Sequence, residues 1–313
     1  MMELDLWSST FLVGWLAATV RLAGPLLLAA LGELFAERSG VLNIGIEGLM
    51  LLGALASYLA TLYTGESLAG TERRCAGRYH CGQFSGLDVR HSRCQSGRCG
   101  YHLQYSCSRP CQLYLSAGAA RCGRSQTVDM FDALPIPFLS DLPLIGPILF
   151  RHTMLLYITA GLVIVAGFVL YRTRLGLNLR AVGENPRAAD TAGINVATLR
   201  YIGVLISAGA AGAAGAYLVL AQVGQFRESI VAGQGFIALA IVIFGRWDPY
   251  KAALAALIFG AADALQLSLQ LFQVGLPPQL LLALPYVLTI IAMSGLIGKT
   301  RQPEAFMVPY RKE

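Results

Sequence analysis

The residues of this chain that could do chemistry are ionisable groups set into apolar sequence. In GELFAERSGVLNIGIEGLMLLGA, residues 32–54, the groups Glu33, Glu37, Arg38, Asn43 and Glu47 stand at or just inside the ends of long apolar runs. An ionisable side chain in hydrocarbon costs free energy unless it faces water or a partner, so such residues mark functional surface. Glu37 and Arg38 suit interfacial anchors. Glu47 lies deeper, between Gly45 and Gly48, and suits either a solute path or a buried bond. Arg21 and Asp263 also fall inside apolar runs, where a structural hydrogen bond is a simpler role than transport chemistry.

A second group has a different character. Residues 71–124 hold all seven cysteines, three of the four histidines and nine arginines against only Glu72 and Asp88. That block supplies the whole of the formal net charge of +6, so the charge is no sign of a nucleic-acid surface. A zinc site needs ligand pairs such as C-x2-C, a spacing that Cys75, Cys81, Cys94, Cys99, Cys107, Cys111 and Cys122 never show. A disulfide-bonded extracytoplasmic insert would leave one cysteine of seven over. The third reading is a shifted reading frame. Read one base later, Tyr-His (TAY CAY) becomes Ile or Thr, and Arg-Cys (CGN TGY) often becomes Val or Ala. Residues 94–114 then permit the apolar run ANQVVAGITFNILAAGLASF.

Catalytic motifs are absent: the sequence has no Walker A loop, no H-E-x-x-H and no nucleophile elbow, so no catalytic residue, metal site or cofactor is assigned.

The elements that must position these groups are membrane helices. A chain of 313 residues that is 55% hydrophobic and only 13% charged has too little polar surface to enclose a soluble globule. Apolar runs at 9–31, 41–63, 153–171, 201–223, 252–271 and 280–297 are long enough to cross about 30 Å of hydrocarbon. The shorter run Ile230–Gly245, interrupted by Gly233 and Gly235, reads as a tilted span or as a broken helix of the kind that lines transporter paths. The expected fold is therefore all-α, a polytopic inner-membrane bundle of about seven recognisable spans. The start, MMELDLWSST, lacks the positive region of a secretory signal, so the first helix is expected to remain in place. In the run at 201–223, Ser207, Gly209, Ala210, Gly212, Ala213, Ala214, Gly215 and Ala216 suit close helix packing, with lining of a solute path the other reading.

Orientation follows from Lys and Arg in short loops. The connection 172–200 with its five arginines, the segment Arg246–Lys251 and the tail at 301–313 are expected in the cytoplasm. The N-terminus and the segments 125–151, 224–229 and 273–279 are expected outside.

The connection contains GLNLRAVGENPRAADTAGI, residues 176–194. Asn185 suits an N-cap, Pro186 the first helical position, and Gly193 the left-handed residue that ends a helix. The product is a two-turn helix, Pro186–Ala192, able to act as a rigid knob in a partner's groove or as a plain connector.

These two stretches, with GQGFIALAIVIFGRWDP at 233–249, resemble the permeases of nucleoside and simple-sugar ABC importers, within the larger group that includes ribose and branched-chain amino-acid permeases. The resemblance covers residues 9–64 and 126–300. It implies a bacterial inner-membrane, multi-pass subunit forming half of a translocation pathway, with a second homologous permease, a cytoplasmic ABC ATPase and an extracytoplasmic solute-binding lipoprotein as partners. It also implies that Gly183, Glu184, Asn185, Pro186, Ala188, Ala189 and Gly193 dock on the ATPase, and that Asn43, Glu47, Gln234 and Gly235 are candidates for the path. An ion-coupled secondary transporter working through Glu47 and Asp263 is the alternative. The chain thus divides into helices at 1–64, the aberrant block at 65–125 where two further spans belong, helices at 126–300, and a tail at 301–313.

Overall fold

Apolar runs with no breaker become helices that outlast the hydrocarbon. In the computed structural model, which describes residues 9–64, 128, 130–135, 145–271, 277–293 and 302–310, helix α1 (Ser9–Arg38) is 30 residues long. At 1.5 Å per residue that is about 45 Å, well beyond a hydrocarbon core of about 30 Å. It runs seven residues past the expected end because nothing stops it before Ser39 and Gly40, where φ is +86°. Pro25 lies inside α1 and cannot donate to the Arg21 carbonyl one turn earlier. Gln222 Nε2 donates to that carbonyl instead, at 2.9 Å. A freed backbone acceptor in a membrane helix needs such a partner. The Arg21 side chain itself is exposed and makes no hydrogen bond among the described residues, so the structural bond expected of it is not seen.

The remaining apolar helices among the described residues are α2 (Ile46–Thr64), α4 (Met154–Arg172), α7 (Val196–Tyr217, continued by a π turn Leu218–Val223), α8 (Gln234–Phe244), α9 (Pro249–Leu271) and α10 (Pro278–Met293). Four helices are long and apolar enough to cross a membrane alone: α1, α4, α7 with its π turn, and α9. With α2, α8 and α10 they account for the seven expected spans. The block at 65–125 lies outside the described residues.

Helix α7 lies between α1 and α2, and small residues let it fit there. A Cβ on Gly32 of α1 would come within 2.3 Å of Ala210, one on Gly53 of α2 within 2.1 Å of the Gly212 carbonyl, and one on Gly215 within 1.8 Å of the Met50 carbonyl. Packing is therefore the role of Ala210, Gly212 and Gly215 within the small-residue run, whereas a Cβ on Gly209 would meet nothing within 4 Å. A short antiparallel ribbon, β1 (Ala133–Pro135) with β2 (Arg151–Thr153), and a one-turn helix α3 (Ile145–Leu149) occupy the stretch expected as an external loop. Val128 N–H and Phe131 N–H donate to the carbonyls of Gly224 and Leu220, so this stretch sits at the same end as the 224–229 turn.

Between α4 and α7 the chain forms α5 (Arg174–Glu184) and α6 (Pro186–Thr191). Helix α5 was not foreseen. Leu179 and Val182 on one face are fully buried, and the Thr173 hydroxyl caps its start by accepting from Gly176 N–H at 3.3 Å.

Candidate functional site

Two polar networks tie the ends of the long helices together, and a third set of groups is left partly open. The lowest network is at the Arg-rich end. Glu37, expected as an interfacial anchor, is instead fully buried, and its Oε2 accepts from the Trp247 indole N–H at 2.5 Å. The reason is the length of α1, which carries Glu37 into contact with the α8–α9 turn rather than into water. Arg38 donates to the Trp247 carbonyl through Nε at 3.0 Å and Nη2 at 2.8 Å. Both Arg246 and Trp247 have φ of 55°, an unfavourable backbone for residues with a Cβ. The bonds from α1 hold the turn in that shape.

About one turn deeper along α1, Glu33 accepts from Asn43 N–H at 2.8 Å through Oε1 and from the Ser207 hydroxyl at 2.6 Å through Oε2. Asn43 in turn donates to Ser207 at 3.0 Å and accepts from Gly45 N–H at 3.1 Å. Each buried polar atom here has a partner, so the network folds the 39–45 segment back along α1 and ties it to α7. Asn43, a path candidate by resemblance, belongs to this closed network. Glu33 was among the boundary groups singled out in the sequence, but its partners, ten and 174 residues away, were not legible there.

The third set lies where α2, α8 and α10 meet. Glu47 Oε1 accepts from Gly233 N–H at 2.9 Å, joining the first turn of α2 to the start of α8. Gly233 has φ of +82°, and a Cβ there would come within 3.0 Å of the Tyr286 hydroxyl. The Cα of Gly235 packs on the backbone of Glu47, where a Cβ would approach to 2.8 Å. From the other side the Tyr286 hydroxyl donates to the Ala232 carbonyl at 2.7 Å. Two buried acceptors in this set, Glu47 Oε2 and Gln234 Oε1, have no partner. Glu47, Gln234 and Gly235 are thus brought together, whereas Asn43 is not among them. Tyr286 joins them; a hydroxyl inside an apolar run was its one mark in the sequence. Asp263, half-buried on α9, has no hydrogen-bond partner among the described residues, so the structural bond expected for it is not seen.

Helix α8 connects the first and third sets. It has 11 residues, about 16 Å, or roughly half the hydrocarbon thickness. Its C-terminal end leads into Trp247 and its N-terminal end meets Glu47. The broken-helix reading of Ile230–Gly245 therefore fits the structure: a half-length helix whose start lies inside the bundle.

At the Arg-rich end α6 is built as its residues dictate. The Asn185 side chain caps it by accepting from Ala188 N–H at 3.1 Å, Pro186 takes the first position, and Gly193 ends it with φ of +81°. The expected docking set divides by exposure. Glu184, Asn185, Ala188 and Gly193 are exposed and Pro186 is half-buried. Gly183 and Ala189 face inward: Ala189 packs with Val182 and Val196, and a Cβ on Gly183 would overlap the Arg38 carbonyl at 2.1 Å. The outer face of the knob is completed by Arg187, Thr191 and Ala192.

Against known proteins, the family described as branched-chain amino acid transport system / permease component matches at residues 15–72 and 115–293. A guanosine ABC transporter permease protein of Bacillus subtilis is 38% identical over 94% of this chain and 95% of its own length. A nucleoside ABC transporter permease protein of Lactococcus lactis subsp. cremoris is 35% identical over 92% and 93%. A putative glucose ABC transporter permease protein of Haloferax volcanii is 34% identical over 97% and 99%. No solved structure matches the chain significantly.

Proposed function

This chain belongs to the family of branched-chain amino acid transport system permease components, and from that premise we propose that it carries a nucleoside inward across a bacterial inner membrane. It is a membrane-spanning ABC permease subunit, which sets aside the ion-coupled alternative. The observation that carries the choice of solute is the 38% identity, over nearly the whole of both chains, to a permease named for guanosine. A simple sugar is the second reading, favoured by the 34% identity to a permease named for glucose.

The site supports this reading chemically. A nucleoside presents N–H and O–H donors, and Glu47 Oε2 and Gln234 Oε1 are acceptors without partners at the start of a half-length helix. In this account the subunit forms half of the pathway beside a second homologous permease, receives solute from an extracytoplasmic binding lipoprotein, and takes its motion from a cytoplasmic ATPase seated on the exposed face of α6. The Arg-rich end is the cytoplasmic one.

The block at 65–125 fits the account as a frame-shifted stretch. The family match stops at residue 72 and resumes at 115, which leaves the Cys- and Arg-rich core of the block unmatched.

Uptake of tritiated guanosine by cells expressing the genomic locus tests the solute. Competition by unlabelled guanosine and none by glucose is expected; the reverse pattern would transfer the assignment to a sugar.

A further inference from the structure

The last described segment, residues 302–310, lies across the Arg-rich end and bonds to several of the elements that meet there. Ala305 N–H donates to the Gly183 carbonyl at the end of α5 at 2.9 Å, and Met307 N–H donates to the Gly40 carbonyl at 3.0 Å. The Val308 carbonyl accepts from Arg200 Nη1 at the start of α7, at 3.0 Å. Phe306 sets its ring edge-on to Trp247, with centroids 6.4 Å apart and planes at 70°. Finally the Tyr310 hydroxyl donates to Asp190 Oδ2 at 2.8 Å, and Asp190 is on α6.

Helix α6 is six residues long, with a joint at each end: the cap at Asn185 and the left-handed Gly193. Beyond those joints α6 is held by Ala189 packing on Val182 and Val196, an apolar contact that can slide, and a force on its outer face is carried further only through a directional connection. The tail is such a connection. It runs from Asp190 through Tyr310 and Phe306 to Trp247, which Glu37 and Arg38 bind to α1 and from which α8 rises to Glu47. We propose that residues 305–310 are a positioning strap that holds α6 to the Trp247 turn, so that movement of the ATPase reaches the Glu47 end of α8. This rests on the reading of α6 as the ATPase dock. Tyr310 acts through Asp190 and contacts no solute in this scheme.

The test uses the complete transporter in lipid vesicles, with spin labels at positions 223 and 271 of an otherwise cysteine-free chain. Both positions are exposed at the end opposite the tail. The label distance is measured with and without ATP and vanadate, alongside co-purification of the ATPase. Tyr310→Phe should keep the ATPase bound and its hydrolysis active while shifting the balance of the two label distances by about tenfold, the effect of losing a hydrogen bond to a charged acceptor. Asp190→Asn, which keeps a neutral acceptor for the Tyr310 hydroxyl, should give a smaller shift than Tyr310→Phe. A merely structural role would lower the yield of complex and leave the nucleotide response of the surviving molecules intact; that result, or a wild-type response in Tyr310→Phe, overturns the proposal. Ala188→Asp separates the two readings. Loss of ATPase binding in Ala188→Asp together with a wild-type Tyr310→Phe leaves the dock standing and removes the strap, whereas full ATPase binding in Ala188→Asp removes the dock and the strap with it.

Discussion

The carboxylate of Glu47 and the backbone N–H of Gly233 are joined at 2.9 Å across 186 positions of sequence, and this bond fixes the start of α2 to the start of α8. Because α8 is about half a hydrocarbon thickness long and its other end is held at the Arg-rich surface, the bond lies well inside the bundle. Irregular backbone at such depth is tolerated only where protein or a water-filled path supplies partners. Glu47 and Tyr286 supply them here.

Replacing Glu47 therefore acts on both the fold of the 232–235 segment and the acceptors offered to solute. Glu47→Ala should lower uptake about tenfold or more, since a hydrogen bond to a charged group contributes about 1.5–3 kcal/mol. Glu47→Gln keeps an acceptor for Gly233 and should keep a larger share. Initial uptake rates at equal membrane abundance decide it, and equal rates for the Ala variant and wild type would take Glu47 out of the path.

The close approach of Gly235 to Glu47 makes a contrast with open glycines. Gly235→Ala places a Cβ 2.8 Å from backbone atoms, whereas Gly161 and Gly209 have nothing within 4 Å of a Cβ. In detergent, Gly235→Ala should lower the melting temperature. Gly161→Ala and Gly209→Ala should leave it unchanged or raise it, by up to about 1 kcal/mol of helix propensity each. A Gly235→Ala protein as stable as the other two would mean that α2 and α8 are not in contact as described.

Trp247→Phe tests the network at the Arg-rich end. It removes the only donor that Glu37 has among the described residues, since Glu37 Oε1 is already without a partner. A buried group left unsatisfied costs about 1–3 kcal/mol. Unfolding of Trp247→Phe should come at lower temperature, and Glu37→Leu in the same chain should recover part of the loss; no recovery would argue that the ring itself, rather than its N–H, holds the turn.

Much of the bundle was legible because a membrane helix is specified by run length and apolarity alone, and the seven apolar helices among the described residues lie where such runs occur. The α6 knob was legible because Asn185, Pro186 and Gly193 act on their own neighbours. What escaped the sequence was long-range. The burial of Glu37 depends on Trp247, 210 positions away, and the inward turn of Ala189 depends on Val182, Val196 and the tail. Helix α5 had a readable signal in the spacing of Leu175, Leu179 and Val182, but the arginines around it made the stretch look like a plain connection.

Sidedness is open to a direct check, since residues 185 and 228 are both exposed and lie at opposite ends of α7. A single cysteine at 185 should react with an impermeant maleimide only in inverted vesicles, and one at 228 only in intact cells. Labelling of 185 from outside would invert the orientation.

The frame-shift reading predicts what the DNA contains. Sequencing across the codons for residues 60–130 should show that restoring a one-base shift yields two apolar spans in place of the Cys- and Arg-rich block, since nine arginines cannot be carried into a bilayer at about 2.5–3.5 kcal/mol each. A DNA sequence that offers no apolar run in either shifted frame would leave the block as a genuine insert.

The central claim is that this subunit carries solute inward at the expense of ATP hydrolysed by a partner docked on α6. It is tested most directly by tritiated guanosine uptake into vesicles holding the complete transporter, with ATP supplied on the α6 side and ion gradients collapsed by an ionophore. Uptake that continues under the ionophore, stops without ATP and is lost in Ala188→Asp together with ATPase binding is the result expected. Uptake that survives ATP removal and stops with the ionophore would contradict the account and point to ion coupling through the membrane acids.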